Sequence, residues 1–384
     1  MNATPTVEVE VTVIGGGVVG CAVAHALARR GVPSVIVEAE SDLALGASGT
    51  NSGVLHTGFD SKPGEFETEM ILRSASLRGS AVNALSVPVL CCGAVLEPRE
   101  EVEKETVRTI AANAARNGVD ATLGSDGALR IPGEWVTDPV AYTKALGAAA
   151  VAGGAEIRTG TTVEMIEPAS DGLRVTLQSG ERFTSRAAVN AAGLGADDVA
   201  AMAGDRSFQI YPRKGEFFVF DPPGGRTLEQ ILLPVPTERT KGILVFPSVD
   251  GKVIAGPTAI DSTDKDDWSV REEARGEIME KVARVYPPLD GAEPIASYAG
   301  LRPAGRGVNY VIGPSAANPA LINVAAIRST GVSASLGIGS YVAELVAEQG
   351  ITLGPERELT AGPPDPDRKP WWSRASQRGE VTAA

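Results

Sequence analysis

Val11-Thr12-Val13-Ile14-Gly15-Gly16-Gly17-Val18-Val19-Gly20 decides the fold. Val9 to Ile14 is a Val-rich run that reads as a short buried strand. Val19 to Arg30 repeats apolar residues at helical spacing and stops at Gly31. Between them Gly15, Gly17 and Gly20 form G-x-G-x-x-G. The first Gly permits a tight turn, the second lets backbone approach a pyrophosphate, and the third lets the helix pack on the strand. The helix start, with Val18 and Val19, offers N–H groups and a positive dipole end to phosphates. Val35 to Glu38 reads as a second strand, and Glu38 falls 18 residues after Gly20. There an acid, with Ala39 beside it, accepts hydrogen bonds from an adenosine ribose and disfavours a 2′-phosphate. The strand, Gly turn, helix and strand make a βαβ unit, and the expectation is a dinucleotide site.

A second segment of this kind lies far along the chain. Val189-Asn190-Ala191-Ala192-Gly193-Leu194-Gly195-Ala196-Asp197 is a strand opening into a Gly turn and a helix, after a strand region around Val163. It favours FAD over NAD, with Val163, Ala192 and Gly193 as further contacts.

Helices are expected over Glu67–Leu85, Arg99–Asn117, Pro139–Ala152, Trp268–Tyr286 and Ser333–Gln349. Gln209 to Ala255 has a period of two with Pro and Gly breaks, which predicts an antiparallel sheet. Nucleotide signals occupy 9–60, 155–200 and 320–350. The chain therefore crosses between an FAD-binding domain (1–80, 150–205, 300–352) and a substrate domain (81–149, 206–299). Residues 353–384 are expected to be an irregular tail.

The 384 residues suit two connected domains. A net charge of −13 and 5% aromatic residues argue against nucleic acid and against anionic membrane surfaces. Three Cys (21, 91 and 92) form no disulfide framework and no metal motif. Met1 to Thr6 carries no basic region, and no run of about 18 apolar residues occurs, so a cytoplasmic location is expected. Membrane association is at most peripheral: Trp371-Trp372 can act as an interfacial foot or pack on the body.

Five ordered motifs resemble the FAD-dependent glycerol-3-phosphate dehydrogenase and L-2-hydroxyglutarate dehydrogenase branch of the D-amino-acid-oxidase-like superfamily. Gly46-Ala47-Ser48-Gly49-Thr50-Asn51-Ser52-Gly53-Val54-Leu55-His56-Thr57-Gly58 resembles its flavin-side loop. Tyr211-Pro212-Arg213-Lys214-Gly215-Glu216-Phe217 and Ile254-Ala255-Gly256-Pro257-Thr258-Ala259 resemble its PRKGE and VGPTA segments. Tyr298-Ala299-Gly300-Leu301-Arg302-Pro303 resembles its GLRP motif, and Asn323 to Gly331 the turn before its last helix. The resemblance implies an α/β (α+β mixed) fold. In it a Rossmann-type FAD-binding domain is interleaved with a substrate domain on a mixed, largely antiparallel sheet. It implies oxidation of the CH–OH of a small anionic substrate, glycerol-3-phosphate-like or a 2-hydroxy acid, by hydride transfer to flavin N5. Thr50 stands where the glycerol-3-phosphate enzymes usually carry a basic residue, which points away from a phosphate. No Cys follows Cys92 to ligate an iron–sulfur domain, so electrons leave to oxygen, a quinone or a redox protein.

That chemistry needs a base, and His56 in the flavin-side loop is the first candidate. His25, among Ala residues in the first helix, reads as structural. Ser48, Thr50, Asn51 and Ser52 offer donors and acceptors to the flavin. Arg328, Ser329, Thr330, Gly331, Val332 and Ser333 start the last helix, whose N–H groups suit the N1/O2 edge; Ser333 can instead cap that helix. An anionic substrate needs a cation: Arg302, read here in a turn, comes first, then Lys214, with Arg328 and Lys62 weaker. An amine or amino-acid oxidase on the same fold remains the alternative, and a non-catalytic flavin-binding module the third reading.

Overall fold

Val-rich segments buried on both faces form the middle of a parallel sheet, because neither face can be left to water. The computed structural model describes residues 6–237 and 242–382. Its first strand, Thr6–Ile14, sits inside an eight-stranded sheet. It pairs in parallel with Arg182–Asn190 on one side and Ser34–Val37 on the other. Glu156–Arg158 and Leu321–Ala325 extend the parallel part, and Val163–Ala169 with Gly172–Leu177 adds an antiparallel hairpin. The helix Val18–Arg29 packs against Pro139–Ala152 and Gly331–Glu348. Their apolar faces share one core with Val11 and Val13.

A nine-stranded sheet carries the second layer. Its spine is Ile210–Phe220 against Ala296–Gly305, antiparallel from Ile210 opposite Gly305 to Val219 opposite Ala296. Pairing is antiparallel except between Ile231–Leu233 and Ala94–Leu96. The sheet is mixed and largely antiparallel, as the period of two predicted. Strands within 94–131 and 210–305 supply it, while strands within 6–37, 156–190 and 311–325 supply the first, so the chain crosses between the two layers.

A three-stranded sheet links the layers. Val54–Leu55 pairs with Trp135–Thr137, which also pairs with Val89–Leu90. Leu55 lies opposite Trp135. Continuing that antiparallel register by one residue brings His56 to Glu134.

Several elements differ from the sequence expectation. Arg302 sits inside the ten-residue strand Ala296–Gly305, not in a turn. The charged helix begins at Ala274, not Trp268. Its expected first turn is held open, because the Ser269 carbonyl accepts from Lys214 Nζ at 2.9 Å and the Arg271 N–H donates to Glu216 Oε1 at 2.7 Å. The tail is not wholly irregular: Trp371–Thr382 is a helix. Trp371, Arg374, Ala375 and Arg378 follow helical i, i+3, i+4, i+7 spacing and so share one face. Trp371 is 3% exposed against the second layer, which removes it as a membrane foot. Among the described residues no helix is long and apolar enough to cross a membrane.

Candidate active site

The Gly turn opens on a cavity of about 530 Å³ beyond the carboxyl ends of the parallel strands. Gly15 has φ +109°, and a Cβ there would collide with the Ala191 carbonyl. A Cβ at Gly20 would collide with the Gly15 carbonyl, so the helix meets the turn at backbone distance. Gly15, Gly17, Val18 and Val19 line one wall, with Glu38 and Ala39 beside them. Val163, Ala192 and Gly193 line another. Ser48 Oγ accepts from the Val18 N–H at 2.9 Å, at the first turn of the helix.

Glu38 Oε2 accepts from the Gly16 N–H at 2.5 Å and Oε1 from the Glu40 N–H at 2.8 Å. Burial raises its carboxyl above the usual range, and these two donors oppose that. The carboxyl group is thus held at the end of the second strand, on the wall of the cavity.

A second cavity, about 670 Å³, adjoins the first, and Ala47, Asn51 and Arg328 line both. A long ligand with a nucleotide at one end and a flat ring at the other fits this pair of spaces. Around the junction, Thr50 is buried and its hydroxyl donates to the Ala47 carbonyl at 3.3 Å. Asn51 Nδ2 donates to the Ser329 carbonyl at 3.2 Å, tying the Ser48 loop to the start of the helix Gly331–Glu348. Ser52 Oγ accepts from the Val54 N–H at 3.4 Å and lines the second cavity.

The helix Gly331–Glu348 starts after a strained stretch in which Ala326 and Arg328 have φ of +57° and +55°. Gly331 and Val332 line the nucleotide cavity; Ser329 and Thr330 line the second. Ser333 does not cap this helix. Its Oγ accepts from the His56 N–H at 2.9 Å and donates to the Val54 carbonyl at 3.1 Å, stapling the His56 strand to the helix. Thr330 holds the cap position, with its hydroxyl between Glu67 Oε1 (2.9 Å) and Tyr310 OH (2.8 Å).

His56 lines the second cavity. Its Nδ1 lies 2.8 Å from Glu134 Oε2, and Glu134 is fully buried. Glu134 Oε1 accepts from the Thr57 N–H at 2.6 Å and from the Thr57 hydroxyl at 2.8 Å. Four groups therefore lock one another: the imidazole, the carboxylate and two Thr57 donors. Arg78 braces both strands, donating from Nη1 to the Leu55 carbonyl at 2.7 Å and from Nη2 to the Gly133 carbonyl. Its guanidinium lies 4.4 Å from the Trp135 ring centroid, and burial lowers its pKa. Sequence reasoning missed Glu134 and Arg78. The one local sign is an acid flanked by Gly133 and Trp135 between apolar residues, which also reads as an ordinary turn.

Cavity lining separates the cations. Tyr211, Arg213 and Phe217 line the second cavity from one strand; Gly300, Leu301, Arg302, Ala304 and Gly305 line it from the other, with Arg213 opposite Arg302. Lys214, expected as a substrate residue, does not line it. It is buried on the far side, with Nζ 2.5 Å from Asp267 Oδ2. Arg328 is tied to Glu67 at 2.7 Å, and Lys62 is an exposed partner of Glu65. Arg302 differs from both. It donates to the carbonyls of Arg213 and Lys214 at 3.4 Å and of Thr258 at 3.2 Å, and among the described residues no carboxylate pairs with it. Burial, and then the charge of Arg213, push it down to about 10, so it stays a cation at neutral pH. An anion in the cavity would relieve that desolvated charge.

A Gly turn at a helix N-terminus, an acid at the ribose edge and a second chamber with a buried acid–imidazole pair define a dinucleotide-binding redox enzyme. The chain belongs to the DAO family of FAD-dependent oxidoreductases, which matches residues 10–345, and FAD is its cofactor. It is 27% identical over 353 residues to the glycerol 3-phosphate dehydrogenase of Caloramator mitchellensis (88% of this chain, 73% of that one). It is 28% identical over 353 residues to the glycerol 3-phosphate oxidase of Mycoplasma pneumoniae (86% and 92%). To the L-2-hydroxyglutarate dehydrogenase of Escherichia coli it is 23% identical over 286 residues (70% and 68%). The L-alpha-glycerophosphate oxidase from Mycoplasma pneumoniae, solved with FAD bound, superposes with a TM-score of 0.83 at 25% identity, over 93% of this chain and 97% of that one. Glycine oxidase from Geobacillus kaustophilus shares the fold (TM-score 0.79, 24% identity, 91% and 97%).

Proposed function

We propose that this enzyme oxidises the CH–OH of a small anionic substrate, either glycerol-3-phosphate-like or a 2-hydroxy acid such as L-2-hydroxyglutarate. The observation that carries the proposal is the His56–Glu134 pair, which shares one cavity with the uncompensated Arg302. FAD, when bound, supplies the hydride acceptor at N5.

His56 Nδ1 is committed to Glu134, so proton exchange with a substrate uses Nε2. With Glu134 accepting at Nδ1–H, the neutral ring presents Nε2 as a base for the hydroxyl proton. Once the ring is protonated, the carboxylate behind it stabilises the imidazolium, as the acid of a hydrolase triad does. Arg302 binds the substrate anion and turns the CH–OH toward His56. Ser333 holds the backbone N–H of His56, so the base sits on two supports, one from each layer. The first turn of Gly331–Glu348 lines the cavities and would offer its N–H groups and positive dipole end to a bound flavin.

Two features support alcohol over amine as substrate. A hydroxyl needs a stronger base than a neutral amine, and the imidazole–carboxylate pair provides one. The relatives named as glycerol 3-phosphate and L-2-hydroxyglutarate enzymes also match over most of the chain. The test is an anaerobic screen in which loss of flavin absorbance is followed with glycerol-3-phosphate, L-2-hydroxyglutarate, glycine and L-proline. Bleaching by a hydroxyl substrate is expected. Bleaching by the amino acids alone would transfer the enzyme to the amine class.

A further inference from the structure

The helix Trp371–Thr382 lies beyond the family-matched residues 10–345, yet its shared face touches both layers of the molecule. At one end Trp371 packs edge-on against the buried Tyr298, ring centroids 5.2 Å apart. One turn on, Arg374 pairs with Asp42 at 3.6 Å and donates to the Ala44 carbonyl at 3.3 Å. One further turn brings Arg378 to the wall of the nucleotide cavity. There its Nη1 donates to the Leu45 carbonyl and its Nη2 to Glu40 Oε1 at 2.9 Å. Its guanidinium lies 4.1 Å from the centroid of the Trp268 ring. Glu40 and Trp268 line the same cavity.

FAD brings a diphosphate into a chain with a net charge of −13, and Glu38, Glu40, Asp198 and Asp266 all line its cavity. That excess of acid opposes the ligand unless cations offset it. Among the described residues, Lys265, Arg328 and Arg378 are the cationic side chains on the wall. Lys265 is held between Asp197 (2.8 Å) and Asp198 (3.1 Å), and Arg328 is held by Glu67 at the junction with the second cavity. Arg378 is also paired, with Glu40; it differs in position, lying between Glu40, two residues past Glu38, and Leu45, three residues before Ser48. It is thus placed along the stretch from the ribose to the helix N-terminus, where a diphosphate lies.

We propose that the C-terminal helix is a strap over the FAD cavity, anchored by Trp371, and that Arg378 is the residue through which it grips the adenosine diphosphate half of the cofactor. Trp268 and Glu40 hold the guanidinium in place in advance, so little side-chain freedom is lost when the phosphate arrives. FAD binding and docking of the helix are then coupled, each strengthening the other. The inference rests on FAD binding alone, so it stands or falls separately from the alcohol-oxidation reading.

The experiment is a titration of apoprotein with FAD, read by flavin fluorescence, for the wild type and for Arg378→Ala and Arg378→Lys. Arg378→Ala is expected to raise the Kd about tenfold or more, the loss typical of one hydrogen bond to a charged group. It should also flatten the salt dependence of the Kd. Arg378→Lys should recover part of the affinity. A Kd for Arg378→Ala within about twofold of wild type would overturn the role of Arg378. Limited trypsin digestion of the wild-type chain needs no variant. Cleavage after Arg374 and Arg378 should slow as FAD saturates, and an unchanged rate would overturn the strap.

Discussion

His56 and Glu134 are 78 residues apart in sequence, yet Nδ1 of one lies 2.8 Å from Oε2 of the other. Their meeting follows from the rung that places Leu55 opposite Trp135, and the contact commits Nδ1 of the imidazole to the buried carboxylate.

Replacing His56 with Gln removes the base without emptying the space. The expected result is a fall of about 10²–10⁴ in the rate of anaerobic flavin reduction, with FAD still bound. Glu134→Gln should lower the same rate, because an amide can present Nδ1 with the wrong partner and cannot stabilise the imidazolium. An unchanged reduction rate in either variant would remove that residue from the proton path.

Arg302 and Lys214 make a matched pair, since they differ in cavity lining rather than in charge. Arg302→Ala should raise KM by roughly 30-fold or more, the loss expected for a truncated, desolvated charge partner. Lys214→Ala should instead lower the unfolding midpoint by leaving Asp267 short of a partner, with KM unaltered. If Lys214→Ala also raises KM, the placement of the anion on the Arg302 face is wrong.

At Gly17 the nearest atom to an added Cβ is Ser48 Oγ, at 3.2 Å, in the space of the first cavity beside the helix N-terminus. Gly17→Val fills that space with two methyl groups, and the purified protein should be colourless. A yellow Gly17→Val protein with a normal flavin content would overturn the cofactor site.

His25 carries a pH signature unrelated to catalysis. It is buried in Val18–Arg29, and burial together with the charge of Arg29 lowers its pKa from 6.5 to about 4. Between those values the unfolded chain binds more protons than the folded one, so stability rises with pH there and is lost on acidification. The loss from pH 7 to pH 5 should reach about 2 kcal/mol, measured by urea unfolding of the apoprotein. His25→Gln should flatten that slope, and a slope equal to that of wild type would place the acid sensitivity elsewhere.

The parts of the site that were legible in the sequence answer to local constraints. The Gly15 turn needs a positive φ and the third Gly a backbone contact, and both demands fall on consecutive residues. His56 stood out because it is one of only two histidines and lies in a Gly- and Ser-rich loop. Glu134 was not legible, because nothing within its own stretch reports a partner set by strand pairing. The choice between Arg302 and Lys214 was hidden for another reason. In Ile210–Phe220 the period of two is broken at Pro212 and Gly215 and both faces are largely covered, so polarity alone does not tell one face from the other. The C-terminal helix was missed because its face mixes Trp and Ala with two Arg, and an Arg counts as inward-facing only once its carbonyl and carboxylate partners are known.

The short rung between Val54–Leu55 and Trp135–Val136 also governs how this protein can change over time. Outside Thr57 and Arg78, the stretch between the strands can lengthen, shorten or diverge, and His56 keeps its acid as long as that one rung survives. Inserting a single residue between Glu134 and Trp135 would do what wholesale variation of the helix Glu101–Arg116 cannot: move the acid one position off its rung and turn the carboxylate to the opposite face. Natural variants of this fold should therefore tolerate insertions between these strands and keep an invariant spacing from the acid to the strand that follows it.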